Sequence, residues 1–249
     1  MKTLIKNGKI IKKENQLIEA ALWLENGVIH AIGESFDEAD FEQVFDAKGQ
    51  LITPGLVDVH VHFREPGFTY KETIKTGSKA AARGGFTTVC AMPNLNPVPD
   101  TAEKLSEVYD LIQKDAVVKV LQYAPITEEL RSEVLTNQKA LKEAGAFAFT
   151  NDGVGVQTAG TMYLAMKEAA ALNMALVAHT EDESLLFGGV MHEGEVSKKL
   201  GLPGILSATE ASQIARDITL AKETGVHYHV CHVSTEESVR VIRDAKKAG

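Results

Sequence analysis

The segment Asp58-Val-His-Val-His-Phe-Arg64 places polar side chains at every second position of an otherwise apolar run. Residues two apart in a β-strand point to the same face, so we expect Asp58, His60, His62 and Arg64 to share one side. Two imidazoles placed in this way can ligate one cation, and a guanidinium beyond them can hold an anionic group. The alternative is a polar edge strand with coincidental histidines, because a metal site usually needs about four ligands. The other ligands must therefore come from later in the chain.

Two later apolar runs end in further candidate ligands. Asp152 follows the run 146–150, although Asn-Asp-Gly is also a common turn sequence. His179 ends the run 175–179, where a histidine is as often a structural residue as a ligand. Each residue alone is ambiguous, and only a fold that brings them to one place makes them a site.

A third segment, 227–233, contains His227, His229 and His232. Strand alternation sends His227 and His229 to one face and His232 to the other, unless the strand has already ended. The pattern therefore leaves two alternatives: the ligand comes either from the face of His227 and His229 or from His232. Cys231 is a further candidate, but a buried thiol is the favoured interpretation.

Combined, these histidines and the aspartate form a mixed nitrogen and oxygen shell, which suits zinc or a similar divalent ion. The carboxylate of Asp152 can bridge two ions, and the set is larger than one catalytic zinc needs. Two close ions generate hydroxide near neutral pH and polarise a carbonyl oxygen. The expected chemistry is the hydrolysis of an amide or an ester.

The elements that must position these residues alternate along the chain after Gly55. Strands are predicted at 56–63, 87–92, 117–123, 146–150, 175–179 and 227–233, and helices at about 70–83, 101–114, 128–143, 159–172, 208–224 and 235–248. Such alternation predicts an α/β fold with parallel strands and helical crossovers. In a β/α barrel the carboxyl ends of the strands build the active site, which would gather the candidate ligands.

A closed (β/α)8 barrel needs eight strands, and this sequence supplies about six. An open doubly wound sheet is the alternative, but no glycine-rich dinucleotide fingerprint follows the first strand. We therefore expect a TIM-like barrel that is incomplete, in the amino-terminal part of a longer protein. Residues 1–53 contain short apolar runs separated by Asn7-Gly8 and by Glu25-Asn26-Gly27, which predicts a small β module built of hairpins. The predicted domains are thus residues 1–53 and 54–249.

Composition excludes several classes of protein. The chain has 249 residues and a formal net charge of −8, and no basic stripe suggests nucleic-acid binding. No signal-peptide core and no apolar run of about 18 residues is present, so we expect neither secretion nor a membrane span. The two cysteines do not make a disulfide framework, and we expect a cytoplasmic protein.

Five segments of the sequence resemble the amidohydrolase superfamily, and within it the dihydroorotases of the bacterial long-chain type. The segments are Asp58-Val-His-Val-His-Phe-Arg-Glu-Pro-Gly67, Ala91-Met-Pro-Asn94, Phe149-Thr-Asn-Asp-Gly-Val-Gly-Val-Gln157, Ala178-His-Thr-Glu-Asp182 and His229-Val-Cys-His-Val-Ser-Thr235. They follow the order of that family, and the similarity covers essentially the whole chain. The first segment alone indicates a cyclic amidohydrolase, and the five together are specific to dihydroorotases.

The resemblance implies a binuclear zinc centre. His60 and His62 would hold one ion, His179 and His232 the second, and Asp152 both. This choice also selects His232 from the third histidine segment. The expected reaction is the reversible cyclisation of N-carbamoyl-L-aspartate to L-dihydroorotate in pyrimidine biosynthesis.

The remaining roles implied by the resemblance concern the substrate. His62, Arg64 and Asn94 would contact it, with the guanidinium on its carboxylate, and Asp58 would orient the histidines. The family's catalytic acid and base is an aspartate on the eighth strand, which is expected beyond Gly249. No catalytic acid or base is therefore expected within this chain, and the isolated chain should be inactive.

Many relatives bridge their metals with a carboxylated lysine on the fourth strand, whereas Ala146-Phe-Ala-Phe-Thr150 contains no lysine. This absence favours the subtype with an aspartate bridge over hydantoinases and allantoinases, which are the rival assignment. A second rival is a non-catalytic relative that serves as a scaffold for aspartate carbamoyltransferase. A homodimer and an association with that enzyme are the expected protein partners.

Overall fold

The computed structural model describes residues 1–12 and 15–249, which divide into two units, Met1–Gly55 and Leu56–Gly249. The first unit is a sheet of four strands in the order β3-β2-β1-β4. Its strands are β1 Lys2–Ile11, β2 Leu17–Glu25, β3 Val28–Gly33 and β4 Gln43–Asp46. Strand β4 runs parallel to β1, and the other neighbours are antiparallel.

One of the two turns predicted in this unit is wrong. Asn7-Gly8 does not separate two strands but forms a bulge inside β1, where the pairing with β2 shifts between Ile5 and Gly8. Asn7 has a φ of +54°, a left-handed conformation that asparagine adopts more readily than most residues. The second turn, at Asn26-Gly27, joins β2 to β3 as a hairpin, with φ positive at both residues.

The second unit alternates strands and helices. Its strands are β5 Leu56–Val61, β6 Phe86–Ala91, β7 Lys119–Gln122, β8 Phe149–Thr150, β9 Ala175–Ala178, β10 Met191–His192, β11 Gly204–Ile205 and β12 His227–Val230. Its helices are α1 Ile74–Arg83, α2 Ala102–Asp115, α3 Gln138–Glu143, α4 Ala159–Ala171, α5 Glu195–Leu200, α6 Ser207–Thr224 and α7 Glu236–Ala248. The prediction of an α/β fold is confirmed.

Six of these strands are parallel and follow one another in chain order. They form two ladders, β5-β6-β7 and β8-β9-β12, which are joined by a parallel bridge between Ala124 and Phe149. Backbone hydrogen bonds from Ala124 to Ala148 and from Thr150 to Ala124 complete this junction. The strand order of a doubly wound sheet reverses at a switch point, and this order does not. The doubly wound alternative is therefore wrong.

Threonines fix where four of the helices begin. The side chains of Thr73, Thr101, Thr158 and Thr235 each accept a hydrogen bond from a backbone N–H group in the first turn of α1, α2, α4 and α7. These N-caps satisfy donors that otherwise have no partner in the helix. The four helices consequently begin within about four residues of their predicted starts.

The sequence gives a poorer prediction in two places. Helix α3 begins at Gln138 and not near 128, because Glu129 and Leu130 have φ values of +53° and +65°, which a helix does not allow. The short strands β10 and β11 and the helix α5 between them were not predicted. These three elements lie between β9 and α6 in the chain.

The central parallel strands β8 and β9 are buried, whereas the outer strands β5 and β12 expose residues such as Val57 and His227. One cluster lies among the helices and includes the fully buried Leu141, Phe149, Met166 and Leu176. A second cluster contains Cys90, Met92, Tyr123, Ala148, Val177 and Cys231. Within the described residues, every helix is too short or too polar to cross a bilayer.

Candidate metal centre

The carboxylate of Asp152 is the central group of the candidate site. It is 3% exposed, and an imidazole nitrogen of each of four histidines lies near one of its oxygens. The distances are 3.4 Å to His60 Nε2, 3.4 Å to His62 Nε2, 3.5 Å to His179 Nδ1 and 3.4 Å to His232 Nε2. The five residues proposed from the sequence as metal ligands are therefore brought together.

The four rings form two pairs around this carboxylate. His60 Nε2 lies 3.2 Å from His62 Nε2, and His179 Nδ1 lies 3.1 Å from His232 Nε2. A neutral imidazole carries only one N–H, so its second nitrogen offers a lone pair to a cation. Such a set of nitrogen and carboxylate donors could hold a metal ion.

Each ligand lies at the carboxyl end of a parallel strand. His60 is in the last two residues of β5, and His62 follows directly. Asp152 and His179 come just after β8 and β9. His232 lies two residues beyond β12 with a φ of +27°, so the strand has ended before it. Of the three histidines in this segment, His232 is the one whose ring nitrogen lies beside Asp152, which resolves the ambiguity that alternation leaves.

Asn151 fixes the loop that carries Asp152. Its Oδ1 accepts hydrogen bonds from the backbone N–H groups of Ile126 and Thr127 at 2.9 and 3.2 Å. Its Nδ2 donates to Thr127 Oγ1 at 2.7 Å and to the Leu130 carbonyl at 2.9 Å. The amide is 2% exposed and fully satisfied, so it holds the neighbouring carboxylate in one place. The sequence indicates this residue only as part of a turn.

The electrostatics of the centre favour an ionised carboxylate. Burial raises the pKa of Asp152, but hydrogen bonds from His179, His232 and His60 outweigh burial and hold that pKa well below its usual range. Burial lowers the pKa of His62, and the charges of Arg64 and His60 add to this effect. Burial also lowers the pKa of His179, but the hydrogen bond with Asp152 outweighs burial and raises that pKa overall.

The residues expected to bind substrate adjoin the first histidine pair. Asn94 Oδ1 lies 3.0 Å from His62 Nδ1, which directs the other ring nitrogen of His62 toward Asp152. Arg64 is partly buried and has a φ of +61°. Gly67, with a φ of +96°, brings the loop of Arg64 against the backbone of Asn96, and a Cβ atom there would collide with it. The loops of Arg64 and Asn94 are thus packed together.

Asp58 acts on the backbone of the first histidine segment. Its Oδ1 accepts a hydrogen bond of 3.0 Å from the N–H group of His60. The pairing of β5 with β6 is irregular between Asp58 and Val61, so strict alternation of side chains ends there. The expected orienting role of Asp58 therefore takes the form of a backbone contact.

Two further residues lie at the site: Glu181, to which the sequence assigned no role, and Cys231, for which it favoured a buried thiol. Glu181 Oε2 lies 3.4 Å from His179 Nε2, and the spacing of two residues is the only signal that could have indicated it. The donor atoms of Cys231, His60, Asp152 and His232 lie within 4.8 Å of one another. Burial raises the pKa of the Cys231 thiol to about 12, which keeps it neutral.

The sequence is similar to known dihydroorotases along its whole length. Residues 49–238 match the family model described as dihydro-orotase-like. The chain is 61% identical to a dihydroorotase of Ligilactobacillus salivarius over 249 residues, which are 99% of this chain and 58% of that protein. It is 57% identical to a dihydroorotase of Bacillus pumilus, over 100% of this chain and 58% of the relative. The chain therefore spans about 58% of the length of these relatives.

Solved structures share the fold. An L-hydantoinase (dihydropyrimidinase) from Arthrobacter aurescens matches with a TM-score of 0.83 at 24% identity, over 99% of this chain and 56% of that one. A D-hydantoinase (dihydropyrimidinase) from Thermus sp. matches with a TM-score of 0.76 at 27% identity, over 99% and 56% of the two chains. Both likenesses extend across the described strands and helices.

Proposed function

This chain belongs to the dihydroorotase-like family, and on that premise we propose that it forms the metal-binding part of a dihydroorotase. The proposed reaction is the reversible cyclisation of N-carbamoyl-L-aspartate to L-dihydroorotate. The observation that carries the proposal is the convergence of two imidazole pairs on the Asp152 carboxylate, at the ends of four parallel strands. The six parallel strands would be part of an eight-stranded barrel of the amidohydrolase type.

We assign His60 and His62 to one metal ion, His179 and His232 to a second, and Asp152 to both. The nitrogen-rich donor set with one carboxylate favours zinc. Two such ions, when bound, activate water near neutral pH and polarise a carbonyl oxygen. The lowered pKa of Asp152 keeps its carboxylate ionised and ready to bind both.

The substrate is oriented by residues next to the first ion. Arg64 offers a planar guanidinium that can hold a carboxylate through two parallel hydrogen bonds. The Asn94 amide contacts one ring nitrogen of His62, whose other ring nitrogen faces Asp152. Such an arrangement would place the ring amide of dihydroorotate over the carboxylate of Asp152 while its own carboxylate faces Arg64.

The structural neighbours support one competing substrate, since both are hydantoinases by name. Hydantoins are also cyclic amides, but they need no guanidinium for a ring carboxylate. Arg64 and Asn94 therefore favour dihydroorotate. A homodimer and an association with aspartate carbamoyltransferase are part of the proposal and are tested by sizing the protein with and without that enzyme.

The decisive experiment combines metal analysis with substrate choice. A protein of the relatives' full length that contains this sequence is purified without chelator, its zinc is measured by mass spectrometry, and the opening of dihydroorotate and of hydantoin is followed in parallel. We expect about two zinc ions per chain and turnover of dihydroorotate alone. Protein without stoichiometric metal would sink the binuclear assignment, and opening of hydantoin without dihydroorotate would overturn the substrate.

A further inference from the structure

Helix α6 presents three polar residues at intervals of three positions, Glu210, Gln213 and Arg216, to the loops that carry the proposed ligands. Residues spaced by three lie close to one another on one side of a helix. Each of the three forms hydrogen bonds with backbone atoms outside the helix. The loops they contact follow β8, β9 and β12.

Glu210 holds the loop after β12. Its carboxylate accepts hydrogen bonds from the Ser234 N–H at 2.9 Å, the Ser234 hydroxyl at 2.9 Å and the Thr235 N–H at 3.1 Å. Burial raises the pKa of Glu210, but hydrogen bonds with Ser238, Ser234 and Thr235 outweigh burial and lower the pKa overall. Ser234 lies two residues after His232, whose backbone is left-handed. The ionised carboxylate therefore fixes the segment on which His232 stands.

Gln213 connects the loops after β8 and β9. Its Oε1 accepts a hydrogen bond of 2.6 Å from the N–H of Glu181, and its Nε2 donates one of 3.2 Å to the carbonyl of Val156. The amide is 2% exposed. At Gly155, with a φ of +64°, an added Cβ would lie 2.7 Å from the His179 carbonyl oxygen and 3.1 Å from Gln213 Oε1. The two loops and the helix are thus in direct contact.

Arg216 completes the contact with the loop of Asp152. Its Nη1 and Nη2 donate hydrogen bonds of 2.7 Å to the carbonyls of Gln157 and Val156. Its Nε donates to Asp217, whose carboxylate is fully buried and also accepts from the Tyr228 hydroxyl at 3.1 Å. Because Tyr228 lies in β12, the guanidinium is anchored to the strand that precedes His232.

We propose that this face of α6 positions His179 and His232, and that Glu210 and Gln213 are positioning residues for the second metal ion. The inference rests on the proposed function. The first ion depends on other contacts, since His60 and His62 lie at the end of β5, beside Asn94 and Asp58. Disturbing the α6 face should therefore weaken one ion and spare the other.

The test uses the substitutions Glu210→Gln and Gln213→Met, which keep side-chain size while removing hydrogen bonds. Outer contacts of this kind change metal affinity by about 10–100-fold. We expect each variant, dialysed against a graded weak chelator, to lose one zinc ion at 10–100-fold lower chelator concentration while it retains the other. After cobalt replaces zinc, the absorption bands of the weakened site should change in the visible spectrum. The bands of the retained site should stay the same.

Matched controls separate positioning from folding. Glu223→Gln makes the same change at an exposed position of α6, and Gln138→Met makes it at a buried amide that contacts Ala165. Both should keep wild-type metal binding, and the thermal unfolding temperature of every apoprotein is recorded. The two test variants are independent, so one that fails to fold leaves the other to decide.

The possible results distinguish a failure of the proposed function from a failure of the positioning role alone. Wild-type protein without metal would remove both the proposed function and the positioning role. Wild-type protein that holds two ions, with test variants that bind both at wild-type affinity, would overturn the positioning role alone. Loss of both ions together in a folded variant would also overturn it, because the α6 face would then not act selectively on His179 and His232.

Discussion

The hydroxyl group of Tyr123 donates a hydrogen bond of 3.0 Å to the backbone carbonyl of Val59, which precedes the first proposed ligand, His60. Tyr123 directly follows β7 and Val59 lies in β5, with β6 between the two strands. The bond therefore crosses a strand and fixes the backbone next to the metal centre. Tyr123 is 2% exposed, so its hydroxyl group lies away from solvent.

Replacing Tyr123 with Phe should destabilise the protein by about 0.5–1.5 kcal/mol, because the hydrogen bond to the carbonyl of Val59 is lost. The measurement is the free energy of unfolding from urea titration. Tyr70→Phe is the control, since Tyr70 is 79% exposed and should tolerate the change. Equal stability of the two variants would show that the bond contributes nothing.

Replacing Asp152 with Asn should remove both metal ions. The amide keeps the shape of the side chain but loses the negative charge and one acceptor oxygen that four imidazoles approach. Zinc per chain, measured after gel filtration, should fall from about two to well below one. Asp110→Asn, at an exposed position of α2, should keep the wild-type content. A full zinc complement in the first variant would disprove the shared carboxylate.

In a protein of the relatives' full length, replacing Arg64 with Met should weaken substrate binding and leave metal content unchanged. A charge-assisted hydrogen-bonded contact contributes about 1.5–3 kcal/mol, so KM for dihydroorotate should rise roughly 10–100-fold. The control is Arg131→Met, since Arg131 is exposed and pairs with Glu183. Loss of metal from the Arg64 variant would mean that its role has been misassigned.

Asp100 should make stability depend on pH in the acid range. Burial opposes its ionisation, but hydrogen bonds from Lys104 Nζ at 2.6 Å and from the Glu129 N–H at 3.0 Å outweigh burial and lower its pKa below 3.8. A lowered folded-state pKa adds stability that is complete above the unfolded-state pKa and is lost as pH falls through the folded-state value.

Asp100→Asn should therefore cost about 1–2 kcal/mol near neutral pH, and the difference from wild type should narrow below about pH 4. Urea titrations across a pH series provide the measurement. A difference that stays constant with pH would contradict the assignment, because it would come from packing rather than from charge.

The two cysteines should be unreactive in the native protein. Burial raises the pKa of Cys90 to about 11 and that of Cys231 to about 12, and both thiols are free and at most 3% exposed. Only the thiolate attacks a disulfide reagent, so at about pH 8 we expect no release from Ellman's reagent until the chain is unfolded. Reactivity should increase as pH rises toward these values. Fast labelling of one native thiol, with or without metal, would contradict this expectation.

The sequence predicts the local features of this fold well, because they depend on neighbouring residues. The apolar runs locate most helices and strands, and the strand ends indicate His60, His62, Asp152 and His179, whereas His232 was selected by the family resemblance alone. The start of α3 could not be predicted, since it depends on the left-handed residues Glu129 and Leu130. The carboxylate of Asp100 accepts a hydrogen bond from Glu129 and comes from a distant part of the chain.

The geometry of the site depends on contacts that no local pattern contains. Alternation left His227, His229 and His232 unresolved, because it could not state where β12 ends. Asn151 looked like part of a turn, although its amide joins two loops through four hydrogen bonds. Gln213 gave no signal, since its partners lie in segments that are adjacent only after folding.

The shared carboxylate of Asp152 has a consequence for folding kinetics. Its histidine neighbours come from the first and the last of the six parallel strands, so the binding site exists only after contacts between distant parts of the sequence have formed. Contacts of this kind are made slowly, because long loops must close first. Zinc capture during refolding should therefore be a late event, and its rate should report when the strands have completed their assembly.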